Sequence, residues 1–291
     1  MGRNPRESGL WIAGLAAIVL AGCAGPREKP LPICPGSSNA QEALQVLRAR
    51  AKLAVSFATT GECRLAYHVP DEKGLKRQSL NLRPVWFQPP SDVFIQGGAL
   101  GNENAVTVGS NNSEFWLAMR PKEISSYYWG RWDEAANAEG MLINPAVVLQ
   151  AFGILGHEDP NAVWRFEKQG PYDVLTRLNA VGQPAQRLYI YTCDYLVHKI
   201  EHFGPEGHVV ATAELKDFVP VTSTFRVPRQ IHVTTIDRDG REDTIYIELN
   251  TIKEKTFTEA QRLRAFAQNL SETGRFDHVY QLRNGYWISQ R

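Results

Sequence analysis

Apolar and polar positions alternate in short runs over most of the chain, and that period of two predicts strands. Cys63 to Val69, Leu75 to Phe87, Asp92 to Leu100, Ala105 to Gly109, Glu114 to Met119 and Ile124 to Trp129 form a first series. Turn-forming stretches separate them at Pro70 to Gly74, Gln88 to Ser91 and Gly109 to Asn112. A second series lies between Val163 and Ile252, with strands expected at Tyr172 to Leu178, Arg187 to Cys193, Leu196 to Phe203, Val209 to Phe218, Val227 to Ile236 and Asp243 to Ile252. Its turns include Gly204-Pro205-Glu206-Gly207 and Arg238-Asp239-Gly240. Short strands joined by hairpin-length turns predict antiparallel meanders, because parallel neighbours need long crossovers.

Helical period occurs in fewer places. Asn39 with Glu42 three residues later makes a capping-box-like start, and Ala43, Leu44, Leu47, Ala51, Ala54, Val55 and Ala58 then recur at spacings of three and four, with Gly61 as the stop. Asn144-Pro145 opens a second helix with proline in its first turn. The body of that helix, Ala146 to Leu155, is apolar nearly all round and must be buried or cover an apolar surface. Glu259 to Phe266 reads as a short helix. The aromatic tail from Phe276 to Ile288 reads as an edge strand or a surface-packed segment.

The N-terminus has a different pattern. Arg3 and Arg6 precede the uncharged run Leu10 to Leu20, which is short of the roughly 20 residues a spanning helix needs. A basic start, an apolar middle and small residues before a break are the parts of a secretory signal. Leu20-Ala21-Gly22-Cys23 resembles the bacterial lipobox. That resemblance implies cleavage before Cys23 and acylation of its thiol; the alternative is an ordinary signal with an incidental cysteine. Ala24 follows, where the inner-membrane retention signal of enteric bacteria has Asp, which implies an outer-membrane lipoprotein facing the periplasm. Pro26, Pro30, Pro32 and Pro35 then favour an extended spacer. The expected division is a signal over 1–22, a lipidated start and linker over 23–39, one domain over 40–270 and an extension over 271–291.

Charge and cysteine content narrow the function classes. With 32 Lys and Arg against 31 Asp and Glu, and neither cation clustered, there is no footprint for nucleic acid. Once Cys23 is lipidated, Cys34, Cys63 and Cys193 remain, an odd number in a disulfide-permitting compartment. A Cys63–Cys193 bond is conceivable because both lie in strand-like segments. His198-Lys199-Ile200-Glu201-His202 matches H-x-x-E-H, an inverted zinc-hydrolase motif. That chemistry needs a helix, whereas Tyr189-Ile190-Tyr191 and the Gly204 to Gly207 turn frame a hairpin. No G-x-S-x-G elbow, phosphate loop or C-x-x-C is present, and Asp237-Arg238-Asp239-Gly240 is most simply a turn. The expectation is a binding protein, not an enzyme, with no metal and no cofactor.

The order of helix, meander, proline-started apolar helix and long second meander resembles the LolA/LolB lipoprotein-carrier superfamily. Val93 to Gly101 is similar to an early strand and turn of LolB-like sheets, Phe115-Trp116-Leu117 through Tyr127-Tyr128 to paired strands bearing aromatics, and Phe225-Arg226-Val227-Pro228-Arg229-Gln230-Ile231 to a later strand start. The likeness runs from about Ala40 to Asn250. It implies a mainly β (α+β) fold: a strongly curved antiparallel sheet, an unclosed β-barrel, with helices lidding its concave face. In that family the hollow holds acyl chains. The implied lining here is Trp86, Phe94, Phe115, Trp116 and Tyr128 from the strands with Val148, Leu149 and Phe152 from the lid helix. Leu100 is the expected membrane or cargo loop. The implied partners are lipid or lipoprotein acyl chains, the membrane through the N-terminal lipid, and a periplasmic donor protein. The competing reading is a structural or assembly lipoprotein that docks partner proteins around a filled interior.

Overall fold

Among the described residues the alternating stretches fold as one 16-stranded sheet. The structure, a computed structural model, describes residues 31–68, 74–99, 102–132, 134, 162–236, 239–283 and 286–291. The first meander comprises β1 (Phe57–His68), β2 (Leu75–Gln88), β3 (Asp92–Ala99), β4 (Asn102–Ser110), β5 (Glu114–Met119) and β6 (Ser126–Arg131). The second comprises β7 (Val163–Gln169), β8 (Tyr172–Leu178), β9 (Pro184–Tyr191), β10 (Val197–Phe203), β11 (Val209–Pro220), β12 (Arg226–Ile236) and β13 (Glu242–Leu249). They join where β1 pairs antiparallel with β13, so that Cys63 faces Ile247 and Leu65 faces Ile245. Two-residue β14 (Lys253–Glu254) pairs with the start of β1. The hairpin of β15 (His278–Arg283) and β16 (Tyr286–Ser289) extends the first meander, β15 lying parallel to β6. The sheet is curved and unclosed: among the described residues its edges are β7 and β16.

Helix α1 (Ala40–Ala51) begins as its sequence dictates. The Asn39 side chain accepts from the Glu42 N–H at 3.0 Å, while the Glu42 carboxylate accepts from the Ser38 N–H at 2.7 Å. Ala43, Leu44 and Leu47 form its buried stripe. The helix is shorter than its period predicts. It stops at Ala51, and from Phe57 the chain is strand. Phe57 is wholly buried opposite Phe87, and the following Thr59-Thr60 favours extended backbone. Gly61 is therefore no helix stop. It lies within β1, where a Cβ would meet the Glu248 carbonyl oxygen at 2.5 Å. The apolar helix expected over 146–155 falls outside the described residues.

A second correction concerns the cysteines. Cys193 is bonded to Cys34, not Cys63, closing a sequence separation of 159 residues with the Cα atoms 5.0 Å apart. Cys63 is held inward at mid-strand between Leu80 and Ile247, out of reach of the β9–β10 turn that carries Cys193. Three further contacts seat the segment before α1 on the sheet. The Cys34 N–H donates to Thr192 Oγ1 at 3.1 Å, the Ser37 N–H donates to the wholly buried Asp173 at 2.5 Å, and Lys168 Nζ donates to the Pro35 carbonyl. Gly36, at φ +65°, passes so close to Asp173 that a Cβ would stand 2.7 Å from its carboxylate. Residues 34–39, read from sequence as spacer, are thus part of the folded body.

Candidate functional site

The middle of the concave face is built by alternation, two inward residues from each of six strands. Cys63 and Leu65 of β1, Leu80 and Leu82 of β2, Ile95 and Gly97 of β3, and Val106 and Val108 of β4 form one wall; Ile231 and Val233 of β12 with Ile245 and Ile247 of β13 form the other. All twelve are apolar, and they enclose a slot of about 40 Å³. A water needs about 10–15 Å³ of such space but also two to four polar partners, and this lining offers none. The slot therefore suits hydrocarbon better than water. Burial pushes the Cys63 thiol up to about 12, so it stays protonated and weakly nucleophilic at neutral pH.

Aromatic side chains stop one end of this face. Phe57 lies 5.2 Å from Phe87 and 6.5 Å from Phe225, ring centre to ring centre. Beside them Leu47 of α1 shares a small gap with Leu188, Ile200 and Phe225, rimmed by Arg50 and Arg226. The Cys34–Cys193 bond is at this same end of the strands, as the turns between β7 and β8 and between β9 and β10 show. Helix α1 therefore covers the β8–β10 part of the concave face, with its leading segment clamped to the end the aromatics close.

The structure divides the lining expected from sequence. Phe115 and Tyr128 do face the concave side, in an aromatic group with Trp132, Tyr280 and Trp287; Tyr128 stacks on Tyr280 at 4.8 Å. Trp86 and Phe94 face the other way. They lie 6.1 Å apart beneath helix α2 (Glu259–Ala265), in a cluster with Phe257, Ala265 and Phe266. The cause is a bulge between Leu82 and Val85, around Arg83-Pro84. It adds a residue to β2, so Leu80 and Leu82 are followed inward by Val85 and Phe87 and Trp86 is turned out. Trp116 also faces outward, packed with Ala118, Tyr127, Phe276 and Val279, its indole lying across Gly109. Leu100, Val148, Leu149, Phe152 and the lipidation candidate Cys23 lie outside the described residues. The aliphatic lining itself was missed because it gives the same signal as ordinary core; only its concentration on six adjacent strands sets it apart.

The H-x-x-E-H residues are separated by the strand. His198 occupies a bulge between Val197 and Lys199, bonds Asp194 at 3.1 Å and packs against Tyr191 and Phe218. His202 pairs across to Ala211 and points, like Ile200, to the concave side. Glu201 points outward and is saturated by Lys199 at 2.6 Å, Tyr189 at 3.1 Å and Arg187 at 3.2 Å. The two histidines cannot share one metal. No cluster of three metal-ligating side chains occurs among the described residues.

No protein-family model matches the chain, and no curated protein resembles it by sequence. Solved structures do resemble it. A DUF1329 family protein from Desulfovibrio piger superposes with a TM-score of 0.53 at 9% identity, covering 81% of this chain and 100% of that one. A LolA superfamily protein from Nitrosomonas europaea gives 0.49 at 13% identity over 77% of this chain and 97% of its own. A domain assigned to outer membrane lipoprotein sorting from Vibrio parahaemolyticus gives 0.49 at 13% identity, covering 76% and 94%. The likeness is one of fold, the curved sheet described above.

Proposed function

We propose that the protein is an outer-membrane lipoprotein of the periplasm that binds acyl chains against its concave face and carries or accepts lipids or lipoproteins. The observation behind this reading is the twelve-residue apolar slot, drawn from six adjacent strands and free of polar side chains. Ordinary cores are apolar too, but a sheet that curves around a strip of aliphatic side chains offers a site whose shape and chemistry fit a hydrocarbon tail. Removing residues 1–22 and acylating Cys23 would tether the body, and more than one acyl chain makes such a tether lasting.

The mechanism needs no covalent chemistry. Each methylene taken out of water contributes about 0.8 kcal/mol. A tail that leaves one apolar environment for another gains or loses little per methylene, so direction follows relative affinity along the route. The slot is narrow, and a tail must part its walls. The side chains of Val106, Val108, Ile245 and Ile247 can shift while their backbones stay held in the strand ladders.

The narrowness of the slot favours a second reading, a structural or assembly lipoprotein whose interior is its own. Mass spectrometry of protein extracted in mild non-ionic detergent separates the two. The carrier reading expects co-purifying lipid in near-stoichiometric amount, depleted when Val108→Trp fills the slot. A lipid-free native protein of unaltered fold would remove it.

A further inference from the structure

At the end of the concave face remote from the Cys34–Cys193 bond, strands β8–β10 carry a polar row. Arg177, Gln186 and His202 are cross-strand neighbours on β8, β9 and β10, in the row beyond Leu175, Leu188 and Ile200. Gln186 is 4% exposed. His202 Nε2 is out of contact with solvent and has no hydrogen-bond partner. Burial, reinforced by the positive charge of Arg177, pushes His202 down to about 4, so its ring is neutral at neutral pH. Between His202 and Val233 of the slot, β11 contributes only the methyl groups of Ala211 and Ala213.

A buried ring nitrogen without a partner costs about 1–3 kcal/mol, and such groups usually mark a missing acceptor or donor. Here the missing group would sit beside a guanidinium and at one end of an apolar strip, where an amphiphile changes from tail to head. We infer that this row holds the headgroup of an anionic amphiphile, a phosphate or a carboxylate, which accepts a hydrogen bond from His202 Nε2–H beside the Arg177 charge while its tail lies along the slot. This deepens the acyl-chain reading and rests on it. It selects free anionic lipids as cargo over a lipoprotein's acylated terminus, whose acyl groups carry no such charge.

The test uses the full chain carrying Cys23→Ser, which removes the acylation site and leaves the sheet untouched. Binding of dihexanoyl phosphatidic acid, dodecanoate and neutral dihexanoylglycerol is measured by calorimetry at neutral pH. At least one of the anionic lipids should bind about tenfold tighter than the neutral one, and which of the two does so tells phosphate from carboxylate. His202→Leu should abolish that preference without weakening the neutral lipid, and His202→Gln, which keeps a donor, should retain part of it. Equal affinity for all three lipids, or an undiminished preference in a folded His202→Leu, overturns the inference but leaves the acyl-chain reading standing. Binding of none of the three removes both. Where His202→Leu fails to fold, the native preference and His202→Gln still decide.

Discussion

The disulfide clamp gives the most calculable prediction. Cys34 and Cys193 are 159 residues apart. Closing a loop of about 100 residues removes unfolded-chain entropy equivalent to about 4.7 kcal/mol, and the dependence is logarithmic, which puts this bond near 5 kcal/mol as an upper figure. In a body of this size, one kcal/mol moves the melting temperature by roughly 2–4 °C. Cys34→Ser with Cys193→Ser should therefore lower it by about 10–20 °C. The remaining clamp contacts, Ser37 to Asp173 and Cys34 to Thr192, still hold α1 over β8, so the far-ultraviolet spectrum at 25 °C should not change. The assay is thermal unfolding by circular dichroism of native and double-variant protein, each with and without reductant. Reductant should collapse the native curve onto that of the variant and leave the variant unmoved. A shift below about 3 °C would rule out a stabilising clamp, as would alkylation of Cys193 in the unreduced folded protein.

Three further outcomes follow from the packing. Gly109→Ala places a Cβ about 2.2 Å from the Trp116 ring, so urea titration should show a loss of about 1–3 kcal/mol. His202 has a folded-state pKa of about 4 against an ordinary 6.5, so its contribution is full above pH 6.5 and lost as pH falls towards 4. That amounts to about 3 kcal/mol at most, so the urea midpoint of the native protein should fall relative to that of His202→Gln over that window. Thr258→Ala removes the side chain that accepts from the Gln261 N–H at the start of α2, costing about 1 kcal/mol; faster amide exchange confined to Glu259–Ala265 would show it.

Most of the strand order was legible because the turns are explicit. Gly204-Pro205-Glu206-Gly207 and the Gly109 to Asn112 turn end their strands where the alternation ends, and Glu114–Met119 and Tyr172–Leu178 match their expected limits. Faces were harder to read. Counting by twos from Leu80 and Leu82 carries Trp86 inward, and only the extra residue at Arg83-Pro84 turns it out. Aromatic residues are expected in the hollow because ligand sites are rich in them, yet Trp86, Phe94 and Trp116 serve the packing of α2 and the C-terminal segment on the opposite face. Cys34 gave no pairing signal within a proline-rich stretch, and the parallel docking of β15 on β6 depends on a long-range contact that no local period encodes.

Photo-crosslinking locates a bound acyl tail on the sheet. The full native protein is incubated with a fatty acid carrying a diazirine in its tail, irradiated, digested and mapped by mass spectrometry. Adducts should concentrate on inward residues of the slot, such as Cys63, Leu65, Ile95, Val106, Ile245 and Ile247, and be suppressed by Val108→Trp. Adducts spread over exposed side chains, or gathered on the Trp86 and Phe94 face beneath α2, would contradict that placement.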